Sequence, residues 1–217
     1  LSGLLNTYYP KYIWIPNELY DEFSYFSLVF NKYGYSLLRT NYCQDYEINK
    51  DLALLLTTSG STGSPKLVRQ SYNNIYSNAD AIVQYLKIDS SERPITTLPM
   101  NYTYGLSIIN SHLIKGATIL MTTKTLMQKE FWDFLREEQA TSFGGVPYTY
   151  EILKRLRFFR MDLPSIKTLT QAGGKLPKEV AKEFAKHCRE KGIRFFVMYG
   201  QTEATARMSY LPSEYAV

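Results

Sequence analysis

A run of aliphatic residues that empties straight into a loop of small, hydroxylated residues leaves a chain few ways to fold. Here Leu52 to Leu56 runs through Thr57 into Thr58-Ser59-Gly60-Ser61-Thr62-Gly63-Ser64-Pro65-Lys66. The apolar run predicts a buried strand. In the loop, glycines let backbone N–H groups converge on an anion. The hydroxyls of Ser59, Ser61, Thr62 and Ser64 add donors, and Lys66 supplies a point charge. A strand that feeds such a loop suits nucleotide phosphates. The plainer reading is a flexible Gly/Ser linker, but a linker seldom follows a buried strand and ends on Pro-Lys. The loop is not a Walker A motif: Pro65 precedes Lys66, and Leu67 stands where Ser or Thr would hold Mg²⁺.

Beyond the loop the pattern alternates. Leu67 to Arg69 predicts a returning strand, and Ser71 an N-cap for a helix over 72–87. Ile95 to Leu98 predicts a strand closed by Pro99, 105–115 a helix, 117–122 an extended segment and 129–139 a helix. Thr141 to Phe143 is read as extended, with a helix from Pro147 to about Phe159. Ile166 to Gln171 predicts a strand, 178–190 the clearest helix, stopped at Gly192, and Arg194 to Met198 a further strand. Such alternation predicts an α/β fold with a largely parallel sheet flanked by helices. The first 50 residues are rich in Tyr and Asn. They read as strands at 12–15 and 37–40 with a helix over 17–33.

Composition narrows the function classes. An apolar share of 45% and a charged share of 21% over 217 residues suit a globular chain with a real core. The net charge of +5 suits an anionic ligand, a nucleic acid or an acidic membrane surface, and decides little among them. Two distant cysteines, Cys43 and Cys188, without Cys/His clustering, argue against structural zinc and for reduced thiols in the cytoplasm. No apolar run reaches the ~18 residues of a membrane span. His112 reads as a packed or partly exposed histidine and His187 as a solvated one; neither has a Ser or Cys partner at a hydrolase spacing. Lys154, Arg155, Arg157 and Arg160, with Phe158 and Phe159 between them, invite a nucleic-acid reading. Their spread over more than one helical face favours a solvated surface, and no nucleic-acid partner is expected.

A second motif, Tyr199-Gly200-Gln201-Thr202-Glu203, follows the last apolar strand. Tyr199 offers a ring for stacking on a base, Thr202 can donate to a phosphate, and Glu203 can hold Mg²⁺ through oxygen. Read alone, Thr202 and Glu203 equally form a helix-start signal. Read together and in this order, SGSTGSPK and YGQTE resemble the AMP-binding domain of the adenylate-forming superfamily. That superfamily includes acyl-CoA synthetases, acyl-AMP ligases, adenylation domains of peptide synthetases, and luciferases. The resemblance covers residues 50–211.

The resemblance implies ATP-dependent activation of a small carboxylic acid to an acyl-adenylate, with release of pyrophosphate. CoA, or the phosphopantetheine of an acyl carrier protein, is the implied acceptor. Thr58 to Lys66, including Gly60 and Gly63, would wrap the β- and γ-phosphates. Lys66, Thr202 and Glu203 would be the catalytic set, with Thr202 on the α-phosphate and Glu203 as the metal residue for Mg²⁺. Tyr199 and Gly200, with Gly173, Gly174 and Lys175, would line the adenine site. Tyr102, Gly105, Val146 and Pro147 would line the acid pocket. Leu67 replaces the family's usual Gly, and Ser71-Tyr72 its Thr-His pair. The ribose-binding Asp and the small C-terminal domain that the resemblance implies do not occur before Val217. The expectation is therefore a partial N-terminal domain over 1–217, inactive alone, with 1–50 as its leading segment and 51–211 as its nucleotide-binding core. The alternative is a non-enzymatic module of the same fold that binds a nucleotide or a protein.

Overall fold

A computed structural model of the protein describes residues 2–58 and 67–216. The described chain forms two compact units, one over residues 2–50 and one over 51–58 with 67–216.

In the first unit a short helix, α1 (Ser2–Tyr8), precedes an antiparallel sheet of β1 (Tyr12–Pro16), β2 (Ser27–Lys32) and β3 (Tyr35–Arg39), with β3 in the middle. Alternation sorts β1: Ile13 and Ile15 join Leu5, Phe23, Phe26 and Leu38 in a small core, while Trp14 stacks on Phe30 and Tyr35 on the open face. The helix expected over 17–33 is absent. Asn17–Leu19 and Asp21–Phe23 are single 3-10 turns, and β2 follows. The reason is the turn at Tyr33-Gly34, where both residues have positive φ. Two left-handed residues make the tight hairpin that pairs β2 with β3.

The second unit opens with a hairpin, β4 (Leu52–Thr57) and β5 (Leu67–Ser71), whose ends meet where Thr57 pairs with Leu67. β4 is a strand as expected, but it is half-buried rather than buried, and antiparallel. Among the described residues β5 is its one sheet neighbour. Leu54 and Leu56 line a small cavity with Ile75 and Leu106, while Leu55 is exposed.

α2 (Tyr72–Leu86) starts on a full capping box: Ser71 Oγ accepts from Asn74 N, and Asn74 Oδ1 accepts from Ser71 N. It buries Ala79, Ile82, Val83 and Leu86 at helical spacing and ends on Lys87 in the left-handed region. α3 (Thr103–Leu113), α4 (Lys129–Glu137), α5 (Pro147–Arg155) and α6 (Lys178–Glu190) follow in the expected places. α5 stops at Arg155, short of Phe159, because Arg157 turns left-handed before a 3-10 turn at Phe158–Arg160.

The main sheet holds β6 (Ser142–Gly145), β7 (Thr168–Gln171) and β8 (Arg194–Tyr199) in parallel, with β9 (Ser209–Leu211) antiparallel at one edge. On the other side, Ile95 N donates to Ser142 O at 2.9 Å and Leu120 N donates to Pro94 O at 2.9 Å. Each is a single parallel bridge rather than the strand expected over 95–98. Pro94 has no N–H to give, and Pro99 closes the segment.

Helices cover both faces, as crossovers between parallel strands require. β8 shows the division residue by residue. Phe195 packs in a core with Phe131, Leu135, Tyr150 and Phe184 from α4, α5 and α6. Phe196 and Met198 pack with Ile82, Leu86, Tyr104 and Ile108 from α2 and α3. Phe158 lies in the first of these cores, so it is not available to stack on a base. Lys154 pairs with Glu183 at 2.6 Å. His187 is half-buried against Phe158 and Phe159, not solvated, and burial lowers its pKa. Both cysteines are free thiols, Cys43 exposed and Cys188 buried. Among the described residues no helix is long and apolar enough to cross a membrane.

His112 is buried on α3, with Nδ1–H donating to Ile108 O at 2.7 Å. Burial pushes its pKa down from 6.5 to about 4. In the unfolded chain the imidazole takes up a proton near pH 6.5; in the fold it resists until about pH 4. Between those values the unfolded state binds more protons, so stability falls as pH falls. Urea unfolding should show a loss approaching about 3 kcal/mol between pH 7 and pH 4 from this residue. His112→Gln should flatten that slope. An unchanged slope in the variant would show that His112 is not the group responsible.

Candidate active site

Parallel pairing brings the C-terminal ends of β6, β7 and β8 to one edge of the sheet, where α/β folds place their ligands. Gly145 ends β6 and hands the chain to Val146-Pro147. Gln171 ends β7 before Ala172-Gly173-Gly174-Lys175, and Tyr199 ends β8 before Gly200 to Glu203. The ladder continues one step past β7, since Ala172 N donates to Gly145 O at 3.2 Å. Gly174 is then tied by Gln171 Nε2, which donates to its carbonyl at 2.9 Å.

These loops touch. A Cβ on Gly173 would sit inside the shell of Tyr102 Oη and 3.1 Å from Val146 Cγ1, at a φ of +80° that side chains rarely adopt. A Cβ on Gly174 would meet Pro147 Cγ at 3.1 Å. Thus Tyr102, Val146, Pro147, Gly173 and Gly174 form one continuous wall. Burial raises the Tyr102 pKa, so its hydroxyl stays a neutral donor. Gly105, in the first turn of α3, is buried, and a Cβ there would strike the Pro99 carbonyl.

Thr202 joins the wall from the β8 side. Its hydroxyl lies 3.0 Å from that of Thr103, at the start of α3. It does not cap a helix, because Thr202–Ala204 is one 3-10 turn whose N-cap is Gln201. Gly200 has no room for a side chain, since a Cβ would overlap the Ala206 carbonyl. Tyr199 is 61% exposed, and Glu203 and Lys175 are exposed too, so these three present their groups to solvent at the same edge. Thr58 is half-buried just after β4. Ser59, Gly60, Ser61, Thr62, Gly63, Ser64 and Lys66 lie outside the described residues.

Three residues that sequence reading passed over hold this edge. Gln70 on β5 is buried and bonds both Thr202 and Thr205. Asn78 on α2 donates through Nδ2 to Arg207 O at 3.1 Å. Arg207 is buried over the Tyr104 ring, 5.3 Å from its centroid, and its Nε donates to Ser107 Oγ at 3.0 Å. Their signal in the sequence is weak, because each partner lies far along the chain.

Among the described residues no group of three or more His, Cys, Asp or Glu could hold a metal ion. A lone exposed carboxylate such as Glu203 fits a hard cation that brings phosphate oxygens and water as its other ligands, as Mg²⁺ does.

The wall makes a steric prediction. Gly173→Ala should destabilise the protein by about 2 kcal/mol in a denaturant titration, from the left-handed φ and the clash together. Tyr102→Phe in the same chain should recover part of that loss by removing Oη, the nearest atom. Strict additivity of the two substitutions would show that they do not touch.

Known proteins resemble this chain in sequence and fold. The sequence profile of the family described as AMP-binding enzyme matches residues 29–216. The 2-succinylbenzoate–CoA ligase of Bacillus subtilis is 30% identical over 165 residues, covering 76% of this chain and 32% of that protein. A feruloyl-CoA synthase from Amycolatopsis is 29% identical over 156 residues, covering 71% and 31%. The solved structure of o-succinylbenzoate coenzyme A synthetase from B. subtilis in complex with ATP and magnesium ion superposes with a TM-score of 0.65 at 27% identity, over 81% of this chain and 36% of that one. The chain therefore spans about a third of the length of the curated relatives it matches. With 29–216 matched out of 217 residues, it belongs to the family of AMP-binding enzymes.

Proposed function

We propose that the full-length protein uses ATP to convert a carboxylic acid into its acyl-adenylate, releasing pyrophosphate, and then passes the acyl group to a thiol of CoA or of a carrier-bound phosphopantetheine. The observation that carries this reading is the meeting of Tyr102, Val146-Pro147, Gly173-Gly174 and Thr202 at one sheet edge, beside the exposed Glu203 and Tyr199. The related ligase that binds ATP and magnesium supports it.

In this reading Tyr199 lies against the adenine ring, and the backbone of Gly173, Gly174 and Lys175 lines the base. Thr202 donates to the α-phosphate. Lys66 and the hydroxyl-rich segment from Thr58 hold the β- and γ-phosphates, across the paired ends Thr57 and Leu67. Val146 and Pro147 wall the acid, and Tyr102, a neutral phenol, donates to it. Gly105 keeps the first turn of α3 close to Pro99, so that Tyr102 reaches the wall. Mg²⁺ held by Glu203 would neutralise charge on the leaving pyrophosphate.

The step joins two anions. A carboxylate oxygen attacks the α-phosphorus, the bond to the bridging oxygen breaks, and pyrophosphate leaves with the electron pair. The acid is already ionised near pH 7, so no general base is required. Positioning and charge neutralisation carry the rate. Free thiols at Cys43 and Cys188 suit a cytoplasmic setting, where ATP and CoA are at hand.

ATP–pyrophosphate exchange by the full-length protein, across a panel of carboxylic acids, tests the reading. Exchange should depend on one class of acid. Glu203→Ala should lower it on the order of 100-fold or more. MgATP binding without exchange for any acid would favour a nucleotide-binding module instead, and full activity in Glu203→Ala would remove Glu203 from the site.

A further inference from the structure

Gln70 is 1% exposed on β5, four places after Lys66. It lines a small cavity of mixed character, with Leu54, Leu56 and Ile75 beside Asn78, Thr103 and Thr205. A buried amide must satisfy a donor and an acceptor at once. Gln70 satisfies both on one turn: Nε2 donates to Thr202 O at 2.6 Å, and Oε1 accepts from Thr205 Oγ1 at 2.8 Å.

That turn is strained. Thr205 has φ +67° and Ala206 φ +113°, consecutive left-handed values at residues with a Cβ. Such conformations persist only where their surroundings hold them. Gln70 grips the turn on both sides of Glu203, through a carbonyl before it and a hydroxyl after it. The same strand begins at Leu67, next in sequence to the segment proposed above to hold the β- and γ-phosphates.

We propose that Gln70 is a positioning residue that couples the strand leaving the 59–66 segment to the Thr202–Glu203 turn. It fixes the turn that carries the groups proposed for the α-phosphate and the metal. The proposal rests on the function proposed above. Gln70 touches no reacting atom; it acts through Thr202 and Thr205.

Three variants of the full-length protein test it. Gln70→Met keeps the volume and loses both bonds. Thr205→Val loses one bond from the other side. Gln70→Glu keeps the acceptor for Thr205, but while ionised it offers no donor to the Thr202 carbonyl. Protonation gives it an O–H that can donate, and burial moves a carboxyl upward from about 4.3 toward neutrality. Pyrophosphate exchange should fall about tenfold in kcat for Gln70→Met at every pH and about threefold for Thr205→Val, with KM for the acid unchanged. Gln70→Glu should match Gln70→Met at pH 8.5 and recover to within about twofold of wild type at pH 6. The rate is read per folded molecule, with the folded fraction measured at each pH, because a role in folding alone would change that fraction with pH and leave the rate per folded molecule at the wild-type value.

Amide hydrogen exchange of residues 200–208, followed in parallel, does not depend on the activity. The turn should exchange faster in Gln70→Met and Thr205→Val, with β6 and β7 unchanged. An unchanged turn in both variants overturns the proposal whatever the activity. So does a loosened turn with full pyrophosphate exchange, or a Gln70→Glu pH profile that parallels wild type. A loosened turn in a protein that exchanges pyrophosphate with no acid leaves the coupling in place and overturns the proposed function instead.

Discussion

The parallel ladder of β6, β7 and β8 is the constraint on which the rest depends. Parallel strands cannot be joined by a tight turn, so β6 and β7 are each followed by a helix that returns the chain to the starting edge. All three strands therefore end on the same side, and the residues that follow them have to share space. Phe195 and Phe196 on β8 secure the ladder from opposite faces. Burying each contributes on the order of 2 kcal/mol. The ladder can stay in place while the edge beyond it carries groups left open to solvent. Tyr199 and Glu203 are exposed because they lie past Met198, the last covered residue of β8.

Space at that edge is set by what is missing as much as by what is present. Tyr102 Oη occupies the volume that a Cβ on Gly173 would need, and Ala206 O does the same at Gly200. Backbone and phenol thereby come into contact across segments 70 residues and more apart in sequence. Tyr104, two places on, turns into the core instead. Its hydroxyl donates to Thr170 Oγ1 at 2.8 Å, and burial pushes its pKa up to about 12. A tyrosine at the N-cap of α3 and one in its first turn thus take different duties, Tyr102 lining the open wall and Tyr104 fixing α3 to β7.

Much of this was legible from sequence where the signal was local. The Ser71 N-cap, the helix over 72–87 and the helix over 178–190 each rest on residues within a few turns of one another, and all three are in place. The strand runs that feed the site were equally plain. Errors came where a non-local fact decides. The segment 17–33 reads as helical until Tyr33-Gly34 is recognised as a hairpin turn, and Tyr is an uncommon residue for it. Leu52 to Leu56 looks buried because its composition is apolar on both faces, whereas exposure depends on which neighbours cover it. His187 looks solvated among Lys and Glu, but helical geometry turns its ring toward Phe158 and Phe159.

The polar contacts were the least legible part and bear most directly on the site. The 200–207 segment is held by Gln70 from β5, Asn78 from α2, and Thr103 and Ser107 from α3. Apolar packing alone would hold this segment near the sheet, but it is non-directional and would let Thr202 slide or rotate. Hydrogen bonds fix direction, and each buried one is costly to leave half-made. A turn with two successive left-handed residues needs that direction, since its relaxed form would point Thr202 elsewhere. The buried Arg207 belongs to the same logic. Seated over the Tyr104 ring and bonded to Ser107, it anchors the end of the turn to the helix that presents Tyr102 and Thr103. A polar interior at this place is thus a device for orientation, and its residues can be recognised only when the fold brings their partners together.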